Sequence, residues 1–256
     1  QPGASGNIGA EAVAKSAPDG NTVLMGANTM LMASQMYKNV SFDPVKDFSS
    51  VTMAAYGSLM LVANPKTGIK SLPELITMAK ARPGGISFGS PGVGTPHHMA
   101  MELFKARTGL FMLHVPYRGT AGYTNDLLGG EIMVGFLPVH IAQGFVKAGR
   151  LNALAVGSPK RHPVAPEVAT FGELGVKDVE VDLWYAFFSP SKTPAPVVSK
   201  LNTEIAAIMR LPEIKDLLGR AGMDAAASTT DELTALVAKD YPRWGDVIRR
   251  NGVKPE

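Results

Sequence analysis

No cysteine occurs among the 256 residues. That excludes a structural disulfide framework, thiolate metal sites and a cysteine nucleophile. No apolar run approaches the roughly 20 residues that a membrane-spanning helix requires, and no charged-then-apolar leader opens the chain. Long runs of one charge are missing too: lysines and arginines are scattered, and the longest basic cluster is Lys160-Arg161-His162. A net charge of +3 spread in this way argues against nucleic acid as a partner. Internal repeats, low-complexity segments and carboxylate pairs at catalytic spacing are likewise lacking. What is there, 45% hydrophobic and 18% charged residues, is ordinary globular material, enough for one large core or two modest ones.

The most informative stretch is Gly89-Ser90-Pro91-Gly92-Val93-Gly94-Thr95-Pro96-His97-His98. Ile86-Ser87-Phe88 before it reads as a buried strand, and Met99, Leu103 and Ala106 after it recur at helical spacing. Thr95 fits the N-cap, Pro96 the first helical position and Gly109 the stop. The first N–H groups of such a helix lack intrahelical partners and lie at the positive end of its dipole, so they favour an anion. The stretch mimics a phosphate-binding P-loop, but Thr95 stands where the lysine belongs, which argues against nucleotide hydrolysis. The dinucleotide fingerprint fails as well, with His97 in place of the third glycine. Two readings remain: a small carboxylate held by backbone N–H groups, or glycines that only permit a tight strand-to-helix turn.

Strands and helices alternate around this motif. Helix is expected over 8–16, 71–81 behind the capping residues Ser71 and Glu74, after Gly122 through Leu128 before Gly129-Gly130, and 140–148. Strands are expected at Thr22–Met25, Leu59–Val62, Leu113–Tyr117, Ile132–Phe136, Leu151–Val156 and Val179–Phe188. Gly26 to Thr29 then falls at the C-terminal end of a strand, where open α/β sheets place ligand contacts. The C-terminal part is helical, with one apolar stripe through Val197, Leu201, Ile205 and Ile208 and another through Leu233, Val237, Tyr241, Trp244 and Ile248, the last helix capped by Thr229 with Glu232 and ended by Asn251-Gly252. This alternation predicts an α/β fold with a mainly parallel sheet and helices on both faces.

Taken in order, Pro2-Gly3-Ala4-Ser5-Gly6-Asn7-Ile8-Gly9, Ala17-Pro18-Asp19-Gly20, the Gly89–His98 stretch, Val115-Pro116-Tyr117-Arg118-Gly119, Asp182-Leu183-Trp184-Tyr185, Thr193-Pro194-Ala195-Pro196 and Tyr241-Pro242-Arg243-Trp244 resemble the periplasmic substrate-binding proteins of tripartite tricarboxylate transporters, the Bug family. The resemblance covers essentially the whole chain. It implies a type II periplasmic binding protein fold: two α/β lobes, residues 1–62 with 182–256 and residues 63–181, joined by two crossing segments and closing on a small mono- or dicarboxylate in a cleft. It implies a membrane permease of that transporter type as partner and a periplasmic location. No enzyme activity, cofactor or metal is expected. By position, Ala4, Ser5, Asn28 and Thr29 would line the cleft from the first lobe; Ser90, Gly92, Gly94 and Thr95 would face them, with Arg118, Gly119 and Thr120 nearby and Asp182 by a crossing. Family members also carry a strand, loop, helix and strand ahead of the segment that matches Gln1-Pro2-Gly3, and this chain opens after that unit.

Other function classes fit less well. A serine hydrolase would use Ser5 or Ser90 with His98, His114 or Asp126, but neither serine has the G-x-S-x-G elbow, and a hydroxyl at a helix start is more often a cap. His97 and His98 are adjacent and lack the spacing that puts two metal ligands on one helix face, so a cap or packing role is expected. A ligand sensor that feeds a signalling partner would carry the same motifs as a transport receptor.

Overall fold

Two α/β units share the chain: Gln1–Tyr56 with Leu183–Glu256 form one and Gly57–Asp182 the other. The computed structural model describes residues 6–37, 40–220, 222–251 and 253. Against the boundaries expected from the sequence, 62/63 and 181/182, the units divide at 56/57 and 182/183. The first division falls inside one uninterrupted strand, β2 (Phe48–Ala63), so no turn or linker marks it.

In the first unit, β1 (Leu24–Ala27) pairs antiparallel with β7 (Asp182–Pro190), which neighbours β2, and the short β8 (Asp224–Ala225) pairs with β2 at Ala55 and Tyr56. The helices are α1 (Asn7–Ala14), α2 (Thr29–Met36), α7 (Ala195–Met209), α8 (Pro212–Arg220) and α9 (Thr230–Asn251). Leu31, Phe48, Trp184, Phe188 and Leu233 share one core, so Trp184 is a core residue. Its indole N–H donates to Asp240 Oδ2 at 3.0 Å, which satisfies a donor that burial would otherwise strand. The sequence pattern did not reveal α2. Met30, Leu31, Met32 and Ala33 are all buried, so the helix shows no polar face and no 3.6-residue period.

In the second unit, β3 (Ser87–Ser90) lies parallel to both β4 (Leu113–Pro116) and β5 (Val134–Pro138). The second half of β2 pairs antiparallel with β5 and with β6 (Asn152–Val156). Each parallel strand feeds a helix: α4 (Pro96–Thr108) follows β3, α5 (Thr120–Gly129) follows β4 and α6 (Val139–Lys147) follows β5, while α3 (Leu72–Ala81) follows β2. Three helix N-termini therefore sit at the C-terminal edge of the parallel strands. The strands expected at Ile132–Phe136 and Val179–Phe188 begin two and three residues later, because Ile132, Val179 and Val181 are buried without entering a ladder.

A single side chain locks this arrangement. Tyr123 of α5 is fully buried, and its phenol donates to the Phe136 carbonyl at 2.5 Å. Gly89 and Gly135 are register partners on β3 and β5, and a Cβ on either would run into the Tyr123 ring. The first glycine of the motif is thus required by close packing of α5 on the sheet. Among the described residues, no helix is long and apolar enough to cross a membrane.

Candidate functional site

The structure brings Ser90, Gly92, Gly94, Thr95, Arg118, Gly119 and Thr120 to one edge of the second unit. Tyr117 N–H donates to the Ser90 carbonyl at 2.9 Å and Gly119 N–H to the Pro91 carbonyl at 3.0 Å, so the β3–α4 and β4–α5 loops are tied directly. Two helix starts then lie side by side. Thr95 caps α4 and Gly119 caps α5, the latter with φ of 113°, a conformation open to glycine. Neither cap makes a side-chain hydrogen bond to its helix, and neither first turn contains an acidic residue. The positive ends of both helices are left without the first-turn carboxylate that α3, α8 and α9 carry. Arg118 and Thr120 are exposed at this edge.

The β3–α4 loop is held by its own polar groups. Thr95 Oγ1 donates to the Gly92 carbonyl at 2.7 Å. Ser90, fully buried, donates from Oγ to the same carbonyl at 3.0 Å, accepts Gly92 N–H at 3.3 Å and meets His114 Nε2 at 2.7 Å. Gly94, with φ of 77°, donates its N–H to His98 Nδ1 at 3.1 Å. The Ser90 hydroxyl and the Gly94 amide are thus engaged inside the loop, which shapes it from within.

Ser90 and His114 do form the contact that a serine hydrolase would need, but the surroundings are wrong for attack. Asp126 accepts instead from the Tyr117 phenol at 2.6 Å. Burial first, then the hydrogen bond and charge of Asp126, push Tyr117 up to about 12. His114 is pulled down to about 3, chiefly by burial and next by His98, which makes it a weak base. His97 shows a second kind of buried imidazole: both ring nitrogens lack a partner, the ring packs edge-on to Tyr123, and burial lowers it to about 4.

The remaining candidates lie in or beside the other unit. Asn28 is buried at the N-cap of α2 and its N–H donates to the Trp184 carbonyl at 3.2 Å, with Thr29 beginning the helix. Asp182 opens β7 and is exposed. Ala4 and Ser5 lie outside the described residues. Sequence reasoning missed the joint role of His98 and His114. Only His98 had a local signal, since it stands three residues after the cap, where a capping-box acid usually sits.

A family profile described as "Tripartite tricarboxylate transporter family receptor" matches residues 1–253. Among solved structures, R. palustris Rpa4515 with adipate matches with a TM-score of 0.90 and 29% identity over 100% of this chain and 86% of that chain. The periplasmic binding protein BugD matches with a TM-score of 0.89 and 28% identity, covering 100% of this chain and 86% of its own. MatC from Rhodopseudomonas palustris with bound malate matches with a TM-score of 0.86 and 25% identity over 96% and 85%.

Proposed function

The chain belongs to the tripartite tricarboxylate transporter receptor family, whose members and structural neighbours are substrate-binding proteins and not enzymes, and from that premise we propose that it is a periplasmic receptor that captures a small mono- or dicarboxylate for a membrane permease of that transporter type. The adipate and malate of its structural neighbours support this ligand class. The observation that carries the reading is the pair of helix starts at α4 and α5, tied side by side and lacking first-turn acids. Such ends favour a carboxylate, and Arg118 adds an exposed positive charge at the same edge. In this reading Gly92, Thr95, Arg118, Gly119 and Thr120 contact the ligand, Ser90 and Gly94 shape the loop, and Ala4, Ser5, Asn28, Thr29 and Asp182 contribute from elsewhere in the chain.

A thermal-unfolding screen with malate, adipate, aromatic monocarboxylates and the uncharged diamide of adipate tests it. A ligand at 100 times its dissociation constant adds about 2.7 kcal/mol of stability. For a chain of this length that raises the midpoint by roughly 5–10 °C. The diamide should give no shift. A flat response to every carboxylate would sink the proposal.

A further inference from the structure

We propose that His98 and His114 are positioning residues for carboxylate capture, a two-ring stack that grips both ends of the Ser90–Thr95 loop and holds it in its binding shape. This rests on the reading of that loop as part of the carboxylate site. The rings lie 4.0 Å apart and 7° from parallel. From this stack His98 Nδ1 reaches Gly94 N–H at 3.1 Å and His114 Nε2 reaches Ser90 Oγ at 2.7 Å. One clamp thereby fixes the loop where it leaves β3 and where it enters α4. Phe88 of β3 extends the stack, with its ring 4.8 Å from His114 and 18° from parallel.

The chemistry explains why imidazoles stand here. Thr95 provides no side-chain hydrogen bond to α4, and His98, three residues further on, reaches back to the N–H that precedes the cap. The reach resembles that of a capping-box glutamate but falls one residue earlier, because the Thr95 N–H itself donates to the Gly92 carbonyl at 3.3 Å. A glutamate would bring negative charge to a helix end meant for a carboxylate ligand, whereas a neutral imidazole supplies the acceptor without it. Because Nδ1 accepts from Gly94, the ring proton of His98 sits on Nε2, which faces Glu102 Oε1 at 3.6 Å. Glu102 in turn accepts from Lys105 Nζ at 2.7 Å, and Lys105 lies 5.3 Å above the centre of the Phe88 ring. Burial first, and next the neighbouring His98, holds the His114 ring below the ordinary imidazole range.

Four variants test this, each measured for adipate and malate affinity by calorimetry and for thermal midpoint. His98→Leu removes the acceptor for Gly94, while His98→Asn keeps an acceptor at the place of Nδ1 and loses the stack. His114→Leu and His114→Gln make the same contrast toward Ser90. Affinity should fall at least tenfold in each Leu variant and stay within about threefold of wild type in its Asn or Gln counterpart, although both members of a pair lose thermal stability. A merely structural role lowers the midpoint without that split. Wild-type affinity in the Leu variants, or an Asn or Gln variant that binds no better than its Leu counterpart, would overturn the proposal. Absence of carboxylate binding by the wild-type protein would instead overturn the reading of the site.

Discussion

Helices α3 and α9 close their own first turns, and helices α4 and α5 do not. Ser71 Oγ accepts Glu74 N–H ahead of α3. At the start of α9, Thr229 and Glu232 exchange hydrogen bonds, with Thr229 N–H donating to Glu232 Oε2 at 2.8 Å and Glu232 N–H to Thr229 Oγ1 at 3.1 Å. These starts answer their own orphan donors and carry acidic residues in the first turn. The starts of α4 and α5 carry neither feature, and they are the two that the loops bring together. A capped start contributes stability only. An uncapped pair keeps its unmet demand for negative charge on offer to a ligand.

The comparison can be broken or sharpened in three ways. The largest effect is expected at His97, which lies in the first turn of α4 with both nitrogens buried and unpartnered. Below pH 6.5 the unfolded chain protonates this residue, whereas the folded chain refuses the proton until about pH 4. Stability is therefore fully present above pH 6.5 and falls as the pH drops through that window, by about 3 kcal/mol at its lower end. Denaturant melts of His97→Leu between pH 4 and 7 should lose that much of the slope; an unchanged slope would show that burial at the start of α4 does not keep this ring neutral.

Next comes charge at the open helix starts. Thr120→Asp puts a carboxylate at the first position of α5, where the dipole favours it, so the thermal midpoint should hold or rise. Carboxylate affinity should nonetheless fall about tenfold, which corresponds to ~1.4 kcal/mol, because the substituted side chain competes for the same field. Calorimetry that finds affinity unchanged would separate the anion from α5. The smallest effect belongs to the capped comparison: Thr229→Ala should cost about 1 kcal/mol of stability and leave affinity untouched. A loss of affinity there would mean that capped and uncapped starts are not independent.

Much of this was legible in the chain. The α4 boundaries follow from Thr95, Pro96 and Gly109, and the C-cap glycine adopts φ of 67° as a helix stop requires. The capping residues of α3 and α9 were equally visible, because a cap is a matter of three or four neighbouring residues. Strand starts were less legible: Val179 and Val181 are as apolar and as buried as any strand residue, yet they precede β7. Within the candidate site, the glycine-rich turn could be read but its internal wiring could not. Gly89 looked like part of an anion cradle, and its lack of a side chain proves to be demanded by Tyr123, which lies 34 positions further along. The Ser90–His114 and Tyr117–Asp126 contacts follow from strand register and helix placement, which no local pattern encodes.

By itself the sequence determined the starts of α3, α4 and α9, the strand–helix alternation around the glycine-rich turn, the absence of thiol chemistry and the family. These depend on local backbone preference and on ordered short motifs, whereas α2, α8 and β8 left no readable pattern. Only the tertiary structure decided which polar groups of the Ser90–Thr95 loop are spent internally, and that Gly89 and Gly135 face one another across a buried tyrosine. It also stacked His98 on His114. The physical reason is that hydrogen bonds and ring contacts are settled by distances between residues far apart in the chain, and parallel pairing of β3 with β4 and β5 is what brings those residues within reach.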